Sequence, residues 1–241
     1  MKSKVLCVIP ARYGSTRLPG KPLLEIKGIP LVMWAYNRAL ESAVFDRVCV
    51  ATDDSRIAET VERFGGKAVM TSPAHKRGTD RVNEAAADSV DCTHIVNLQG
   101  DEPDVPVEII RDFVSDLERI DHSSLLTLVS NATIREVESP HVVKAVLGFG
   151  GDALYFSRAL IPFDRGAHQG AFYKHHGIYG FTREGLRYFC SLSPGSLELR
   201  ESLEQLRALE YGMKIKCLVR DFTSEGIDTP EDFAQFRKLH E

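Results

Sequence analysis

The sequence predicts an α/β fold: a doubly wound, mostly parallel, Rossmann-like sheet with an inserted antiparallel portion in its second half. In about the first 120 residues, short apolar runs alternate with helical patterns, which is the order of β-α-β units. These runs lack an alternation of apolar and polar residues, as expected for strands covered on both faces. In the second half, strand-like runs follow one another with few helices between them.

The first half supplies four strands and four helices. We expect strands at 4–9, 47–52, 67–70 and 93–99, and helices over 30–43, 53–65, 78–89 and from about Val107 to Arg119. Pro30 suits a first helical turn, and residues 53–55 and Thr79 suit helix N-caps. Gly65 suits a helix end.

The second half supplies strands at 124–132, 142–149, 151–157 and 173–181, with the hairpin turn "FGGD" at 149–152. A helix is expected over "LELRESLEQLRALEYG", and its core stripe consists of Leu199, Leu203, Leu206 and Leu209. A terminal helix follows over "TPEDFAQFRKLHE", with Thr229 as its N-cap. No linker or internal repeat interrupts the chain, which predicts a single domain.

Composition excludes several classes of protein. The chain has 241 residues, 43% of them hydrophobic, and a net charge of −4, which argues against a nucleic-acid binder. No apolar run approaches the roughly 18 residues of a membrane span, and the apolar N-terminal run is short for a signal peptide. The five cysteines have no CxxC or metal-ligand spacing, which predicts free thiols and a reducing, cytoplasmic compartment.

Positive charge is concentrated in the first loop, "PARYGSTRLPGKPL", at 10–23. Residues 1–24 contain five cations, Lys2, Lys4, Arg12, Arg17 and Lys21, and no acid. The loop matches neither GxxxxGK[ST] nor GxGxxG, but Gly14 and Gly20 would let backbone N–H groups approach phosphate oxygens. It follows a strand, where ligands bind in such sheets. The pattern favours a nucleotide phosphate, and a solvated basic N-terminus is the alternative.

Two further stretches contain candidate polar sites. Asp101 and Glu102 follow a strand in "NLQGDEP", where they suit either Mg²⁺ or a tight turn. In "YKHHGIYGF", His175, Gly177 and Tyr179 share one face of a strand and His176 lies on the other. That face suits a pocket for hydroxyls, although a histidine on a strand is often structural.

The chain resembles the sugar nucleotidyltransferases that activate acidic sugars with CTP. The resemblance rests on "IPARYGSTRLPGKPL", "VATDDSRI", "GTDRV", "NLQGDEP", "ALYFSRALIPFDR", "YKHHGIYGF", "LEQLRALEYGMKI" and "GIDTPEDF", in that order, from Val8 to about Phe233. "YKHHGIYGF" followed by "LEQLR" favours the members that act on 3-deoxy-manno-octulosonate (Kdo). Arg77 and His176 depart from the usual pattern.

The resemblance implies roles for individual residues. The catalytic residues are Arg12, Lys21, Asp101 and Asp228, and the last two are also the Mg²⁺ ligands. The nucleotide-binding residues are Ala11, Arg12, Arg17, Lys21, Gly78 and Gln99. The sugar-binding residues are Arg158, Arg165, His175, Tyr179, Glu204 and Gln205, with the two arginines on the sugar carboxylate and one of them acting across a dimer interface.

The implied reaction transfers CMP from CTP to the anomeric hydroxyl of Kdo, giving CMP-Kdo and pyrophosphate for lipopolysaccharide biosynthesis. The implied enzyme is a homodimer with a nucleotide-binding half at about 1–120 and a sugar-binding and dimerisation half at about 121–241. A sialic acid or an amino-modified Kdo is the alternative acceptor. A nucleotide-binding regulator without catalysis is the alternative of a different class.

Overall fold

A computed structural model describes residues 3–14, 18–165, 170–222, 224 and 226–241. The chain forms two compact units, Met1–Val114 with Thr223–Glu241, and Ser115–Phe222. The predicted functional halves at about 1–120 and 121–241 remain predictions, and the C-terminal residues belong structurally to the first unit. None of the helices in the described ranges has the length and apolar character that a membrane crossing needs.

The first unit contains a parallel sheet and the helices that connect its strands. Its strands are β1 (Val5–Ala11), the short pair β2 (Glu25–Ile26) and β3 (Ile29–Pro30), β4 (Arg47–Thr52), β5 (Ala68–Met70) and β6 (His94–Asn97). Its helices are α1 (Leu31–Ser42), α2 (Ser55–Arg63), α3 (Gly78–Ala86) and α4 (Val107–Leu117), the last of which runs into the second unit. β1 pairs in parallel with both β4 and β6, and β4 pairs in parallel with β5.

The second unit is mainly antiparallel. Its strands are β7 (Ser124–Asn131), β8 (Lys144–Leu147), β9 (Ala153–Ser157), β10 (Tyr173–Thr182) and β11 (Lys214–Val219). Its helices are α5 (Ile134–Glu138), α6 (Arg183–Ser191), α7 (Ser196–Glu201) and α8 (Gln205–Glu210), and α9 (Pro230–His240) returns the chain to the first unit. β10 is antiparallel to β7 and β8, β8 is antiparallel to β9, and β11 lies parallel to β7.

These elements confirm the predicted α/β class with parallel and antiparallel portions. The "FGGD" turn connects β8 to β9, and Gly148 N–H donates to Asp152 O at 2.8 Å. Asp54 caps α2 through its side chain, and Thr229 caps α9 in a capping box with Asp232. Sequence patterns missed α5, α6 and β11, which are short elements or follow directly on a predicted one.

The predicted long helix over 197–212 is wrong. Ser202, with φ of +54°, ends α7 and separates it from α8. The Glu201 carbonyl, which would continue the helix, accepts a hydrogen bond from the Arg158 Nε at 3.0 Å. The predicted core stripe of four leucines on this helix is also wrong, because Leu199 is 63% exposed whereas Leu203 and Leu206 are buried.

The predicted N-cap at Thr79 is also wrong. The N-cap of α3 is Arg77, two residues before Thr79, so the helix begins at Gly78 and Thr79 lies inside the first turn. The Thr79 hydroxyl is buried and accepts a hydrogen bond from the Asn97 Nδ2 at 3.0 Å. A tertiary contact therefore uses the side chain that local pattern assigned to capping.

The five cysteines are free. Burial raises the pKa of Cys49 to about 11 and that of Cys217 to about 12, and the Cys7 thiol is raised well above its ordinary pKa for the same reason. These thiols are therefore protonated at neutral pH, which agrees with the predicted structural role.

Candidate active site

The basic loop begins where β1 ends. Ala11 is the buried last residue of β1, and Arg12 follows it as an exposed side chain. Gly20 N–H donates to Tyr13 O at 3.1 Å and closes the loop. Gly20 has φ of +68°, and a Cβ there would lie 3.3 Å from the Tyr13 ring, so this position favours glycine. Arg17 lies outside the described residues.

Lys21 directs its ammonium group at two carboxylates. Its Nζ lies 3.4 Å from Asp101 Oδ2 and 3.3 Å from Asp228 Oδ1. The same Nζ donates to the Ile227 carbonyl oxygen at 2.5 Å. Three residues that are distant in sequence, and that sequence reasoning assigned to the reaction, therefore meet at one point in the first unit.

Backbone pairing explains why the two carboxylates meet. Ile227 N–H donates to Asp101 O at 2.8 Å, which places Asp228 beside Asp101. The Ile227 side chain is fully buried. It belongs to an apolar cluster with Leu18, Ile26, Leu31 and Phe236. This cluster anchors both the end of the basic loop and the segment that carries Asp228.

The capping box of α9 fixes the Asp228 backbone without using its carboxylate. The backbone N–H groups of Asp228 and Thr229 both donate to Asp232 Oδ2 at 2.9 Å, and Asp232 N–H donates to Thr229 Oγ1 at 3.2 Å. Capping of α9 is thus done by Thr229 and Asp232. The Asp228 carboxylate contacts Lys21 instead.

The electrostatics of this cluster favour additional positive charge. Burial raises the pKa of Asp101, the carboxylates of Asp228 and Glu102 raise it further, and the Lys21 ammonium opposes both effects. The Lys21 ammonium pairs with two of these carboxylates, those of Asp101 and Asp228. An added cation would lower the energy of the ionised Asp101 side chain.

The donor set fits Mg²⁺. This ion takes one or two carboxylates and completes its shell with water and substrate phosphates. Asp101 and Asp228 would be the two carboxylate ligands. In the described ranges, no group of three or more His, Cys, Asp or Glu side chains forms a metal cage. A site with two protein ligands, open to a phosphate, is the arrangement that these residues can form.

A second group of polar residues lies between β6 and α3. Gly78 opens α3, and a Cβ there would lie 3.3 Å from Gln99 Nε2, so the small residue permits a close approach. Gln99 Nε2 donates to Asn97 Oδ1 at 3.3 Å, and the fully buried Asn97 in turn donates to Thr79. The Gln99 amide is therefore held with its Oε1 as the remaining acceptor. Sequence reasoning missed Asn97, although a polar residue at the end of an apolar strand is a usable signal.

In the second unit, β10 brings His175 and Tyr179 together. Their ring centroids lie 5.5 Å apart, in agreement with the predicted shared face, and Gly177 falls within a bulge between His176 and Tyr179. His175 Nε2 is 2.9 Å from Thr127 Oγ1. The Thr127 contact helps to fix the orientation of the imidazole ring.

The side chain of Gln205 completes this group. Tyr179 OH donates to Gln205 Oε1 at 3.0 Å. Gln205 Nε2 is buried and has no hydrogen-bond partner in the described structure. A buried donor without a partner is costly, and in a native protein it commonly marks a ligand or water position. Glu204 precedes it as the half-buried N-cap of α8.

The predicted arginines differ in their surroundings. Arg158 is half-buried, and its Nη1 donates to Pro140 O at 3.3 Å. Arg165 is exposed. His176 lies on the opposite face of β10, as predicted, and is buried with its Nε2 at 2.9 Å from Ser130 Oγ. The centroid of its ring lies 4.5 Å from that of the Phe222 ring. His176, which departs from the family pattern, therefore packs against an aromatic side chain.

The chain as a whole is similar to known proteins. Residues 6–215 match the family model described as cytidylyltransferase. A 3-deoxy-manno-octulosonate cytidylyltransferase of Thermodesulfovibrio yellowstonii is 48% identical over 94% of each chain. An 8-amino-3,8-dideoxy-manno-octulosonate cytidylyltransferase of Shewanella frigidimarina is 46% identical over 95% of each chain.

A solved structure has the same fold. It is a CMP:2-keto-3-deoxy-manno-octonic acid synthetase complexed with CTP, with a TM-score of 0.92, 41% identity and 98% of each chain covered. A glucose-1-phosphate thymidylyltransferase from Bacillus anthracis, named as putative, superposes with a TM-score of 0.70 at 15% identity, which is a likeness of fold alone.

Proposed function

Because the chain belongs to the cytidylyltransferase family, we propose that it transfers CMP from CTP to the anomeric hydroxyl of Kdo and releases pyrophosphate. The chain is a nucleotidyltransferase. The observation that carries the proposal is the meeting of Lys21 with Asp101 and Asp228, because it places a cation suited to phosphate beside two carboxylates suited to Mg²⁺.

The nucleotide is assigned to the first unit. Arg12 and Lys21 bind the triphosphate and then the departing pyrophosphate, with Arg17 as a third cation. Arg can grip two phosphate oxygens at once. Ala11, Gly78 and Gln99 frame the cytosine. The Oε1 of Gln99 suits the exocyclic amino group of cytosine, because its Nε2 is already bonded to Asn97.

The reaction is an in-line displacement at the α-phosphorus of CTP. The anomeric hydroxyl oxygen forms the new P–O bond, the bond to the bridging oxygen of the β-phosphate breaks, and the hydroxyl proton is lost to solvent. Mg²⁺ held by Asp101 and Asp228 would neutralise phosphate charge and lower the pKa of a coordinated hydroxyl. Lys21 and Arg12 stabilise the charge that develops on the leaving pyrophosphate.

The sugar is assigned to the second unit. The buried Gln205 Nε2 provides a donor for a sugar hydroxyl, and Tyr179 holds the amide through its Oε1. His175 and Glu204 contact further hydroxyls, and Arg158 and Arg165 pair with the sugar carboxylate. We further assign the enzyme to lipopolysaccharide biosynthesis in the cytoplasm, as a homodimer; five free cysteines fit a reducing compartment.

An amino-modified Kdo is the second candidate acceptor, since relatives named for it are as similar as those named for Kdo. Pyrophosphate release from CTP with Kdo, 8-amino-Kdo and a sialic acid tests the assignment, with UTP in place of CTP as the nucleotide control. Turnover should require CTP and be fastest with Kdo. Preference for 8-amino-Kdo would change the acceptor, whereas activity with sialate alone or equal use of UTP would overturn the proposal. CTP binding without turnover would favour the regulator.

A further inference from the structure

Lys144 is a buried cation to which the proposed reaction gives no role. The residue has no exposed surface, and in the described part of the chain its ammonium forms no ion pair with a carboxylate. Its three N–H donors go to three backbone carbonyls, those of Ser139 and Val142 at 2.8 Å and that of Arg158 at 2.6 Å. Burial and the neighbouring Arg158 guanidinium lower the pKa of Lys144, and Glu201 partly offsets them. Keeping an ammonium in such a place needs a complete set of acceptors.

Glu201 holds Arg158 from the other side. Its Oε2 accepts from Arg158 N–H at 3.0 Å, and its Oε1 accepts from Ser157 Oγ at 2.6 Å. Its backbone carbonyl accepts from Arg158 Nε at 3.0 Å. Glu201 therefore fixes both the backbone and the side chain of one arginine.

The combined contacts leave one end of the guanidinium available. The Arg158 carbonyl is held by Lys144, its N–H by Glu201, its Nε by Glu201 and its Nη1 by Pro140. In the described ranges, Nη2 makes no hydrogen bond. A half-buried arginine that is fixed at four points and keeps its outer donors is pre-organised for an anion.

Glu201 also stands at the break between α7 and α8. It is the last residue of α7, and Glu204 and Gln205 begin α8 after the turn at Ser202. The bond from Arg158 Nε to the Glu201 carbonyl therefore ties the arginine to the segment that presents Gln205. A contact that fixes Arg158 therefore also helps to fix the segment that carries Gln205.

We propose that Lys144 and Glu201 are positioning residues for sugar binding: they hold Arg158 so that its Nη2 donors meet the sugar carboxylate. This rests on the proposed function, in which Arg158 is the carboxylate contact. Neither residue touches the sugar. Their loss would weaken binding of the acidic sugar without changing binding of the nucleotide.

Glu210 offers a matched control. Its carboxylate also accepts from a serine hydroxyl and backbone N–H groups, those of Ser196, Leu197 and Glu198 at 3.0, 3.0 and 3.3 Å. It lies in the same unit but makes no hydrogen bond or ion pair with Arg158. A purely structural role of Glu201 predicts that Glu201→Ala and Glu210→Ala behave alike.

The experiment measures KM for Kdo, KM for CTP and the melting temperature in the full chain. Glu201→Ala and Lys144→Met should raise KM for Kdo by about tenfold or more, with KM for CTP within about twofold, because misplacing a binding group by about 1 Å is costly. Glu201→Gln keeps an acceptor for Arg158 N–H and should restore KM. Glu210→Ala should lower the melting temperature alone.

A double variant separates the possible failures. If Arg158→Ala raises KM for Kdo and adding Glu201→Ala to it raises KM no further, the two residues act together as proposed. If Arg158→Ala raises KM but Glu201→Ala lowers only the melting temperature, the positioning role is overturned and the proposed function stands. If Arg158→Ala leaves KM for Kdo unchanged, the assignment of Arg158 fails and this proposal fails with it. Should Lys144→Met not fold, the Glu201 series decides alone.

Discussion

Replacing Asp228 by asparagine should nearly abolish turnover while CTP still binds. The substitution changes the charge of the group formed by Lys21, Asp101 and Asp228 from −1 to 0, and it keeps the size of the side chain. A divalent ion about 4 Å from a carboxylate gains about 2 kcal/mol at the dielectric constant of water and about 8 kcal/mol at an effective value of 20. The Asp228 side chain is 40% exposed, which favours the lower part of that range. We expect a loss of about 3 kcal/mol, a factor of about 100 in turnover at limiting Mg²⁺.

The assay is pyrophosphate release across a Mg²⁺ titration, with CTP affinity measured by calorimetry. Asp101→Asn should behave like Asp228→Asn, and the double variant should be little worse than either, because both carboxylates serve one ion. Glu102→Gln removes the same charge beside the site and is the matched control, for which we expect near-normal turnover. Wild-type turnover by Asp228→Asn at low Mg²⁺ would refute the reasoning and leave helix capping as the purpose of its segment.

Three other substitutions test the account at different points. Lys21→Ala should lose roughly 2–4 kcal/mol of transition-state stabilisation in pyrophosphate release, and unchanged circular dichroism would show that the fold survives. Arg207→Met should lower the free energy of unfolding in urea by about 3–5 kcal/mol, because it removes the guanidinium that contacts the fully buried Glu198 carboxylate twice at 2.8 Å; a loss below about 1 kcal/mol would contradict this. Asp101→Asn should raise the melting temperature of the metal-free protein at pH 7, because the raised pKa of Asp101 makes its ionised form unfavourable in the folded state. This gain in melting temperature should vanish below about pH 4, where the carboxyl is protonated in the unfolded chain as well. An equal gain at both pH values would contradict this explanation.

The fold was predictable where local pattern and tertiary structure agree. The strand at 47–52 was predicted at its observed bounds, Arg47–Thr52, because its buried residues follow one another without alternation. Prediction failed where a distant side chain takes over a local role. At the end of α7 the Glu201 carbonyl accepts a hydrogen bond from Arg158, and the Thr79 side chain accepts one from Asn97 instead of capping α3. Neither partner is visible from sequence spacing.

The candidate site was also only partly predictable from the sequence. Glycine and charge in the first loop indicated phosphate chemistry directly, and the meeting of Lys21, Asp101 and Asp228 agrees with it. The supporting residues were not predictable, because Lys144 and Glu201 are separated by more than fifty positions and neither belongs to a motif. Their contacts to backbone carbonyls and N–H groups have no sequence signature.

Phosphorus NMR of the reaction mixture tests the central claim most directly. With CTP, Mg²⁺ and Kdo, the account predicts that pyrophosphate and one CMP-sugar phosphodiester appear in equal amounts as CTP disappears. Without Kdo, CTP should persist. Release of CMP or CDP at the same rate with and without the sugar, or persistence of CTP when all three are present, would contradict transfer of CMP to the anomeric hydroxyl.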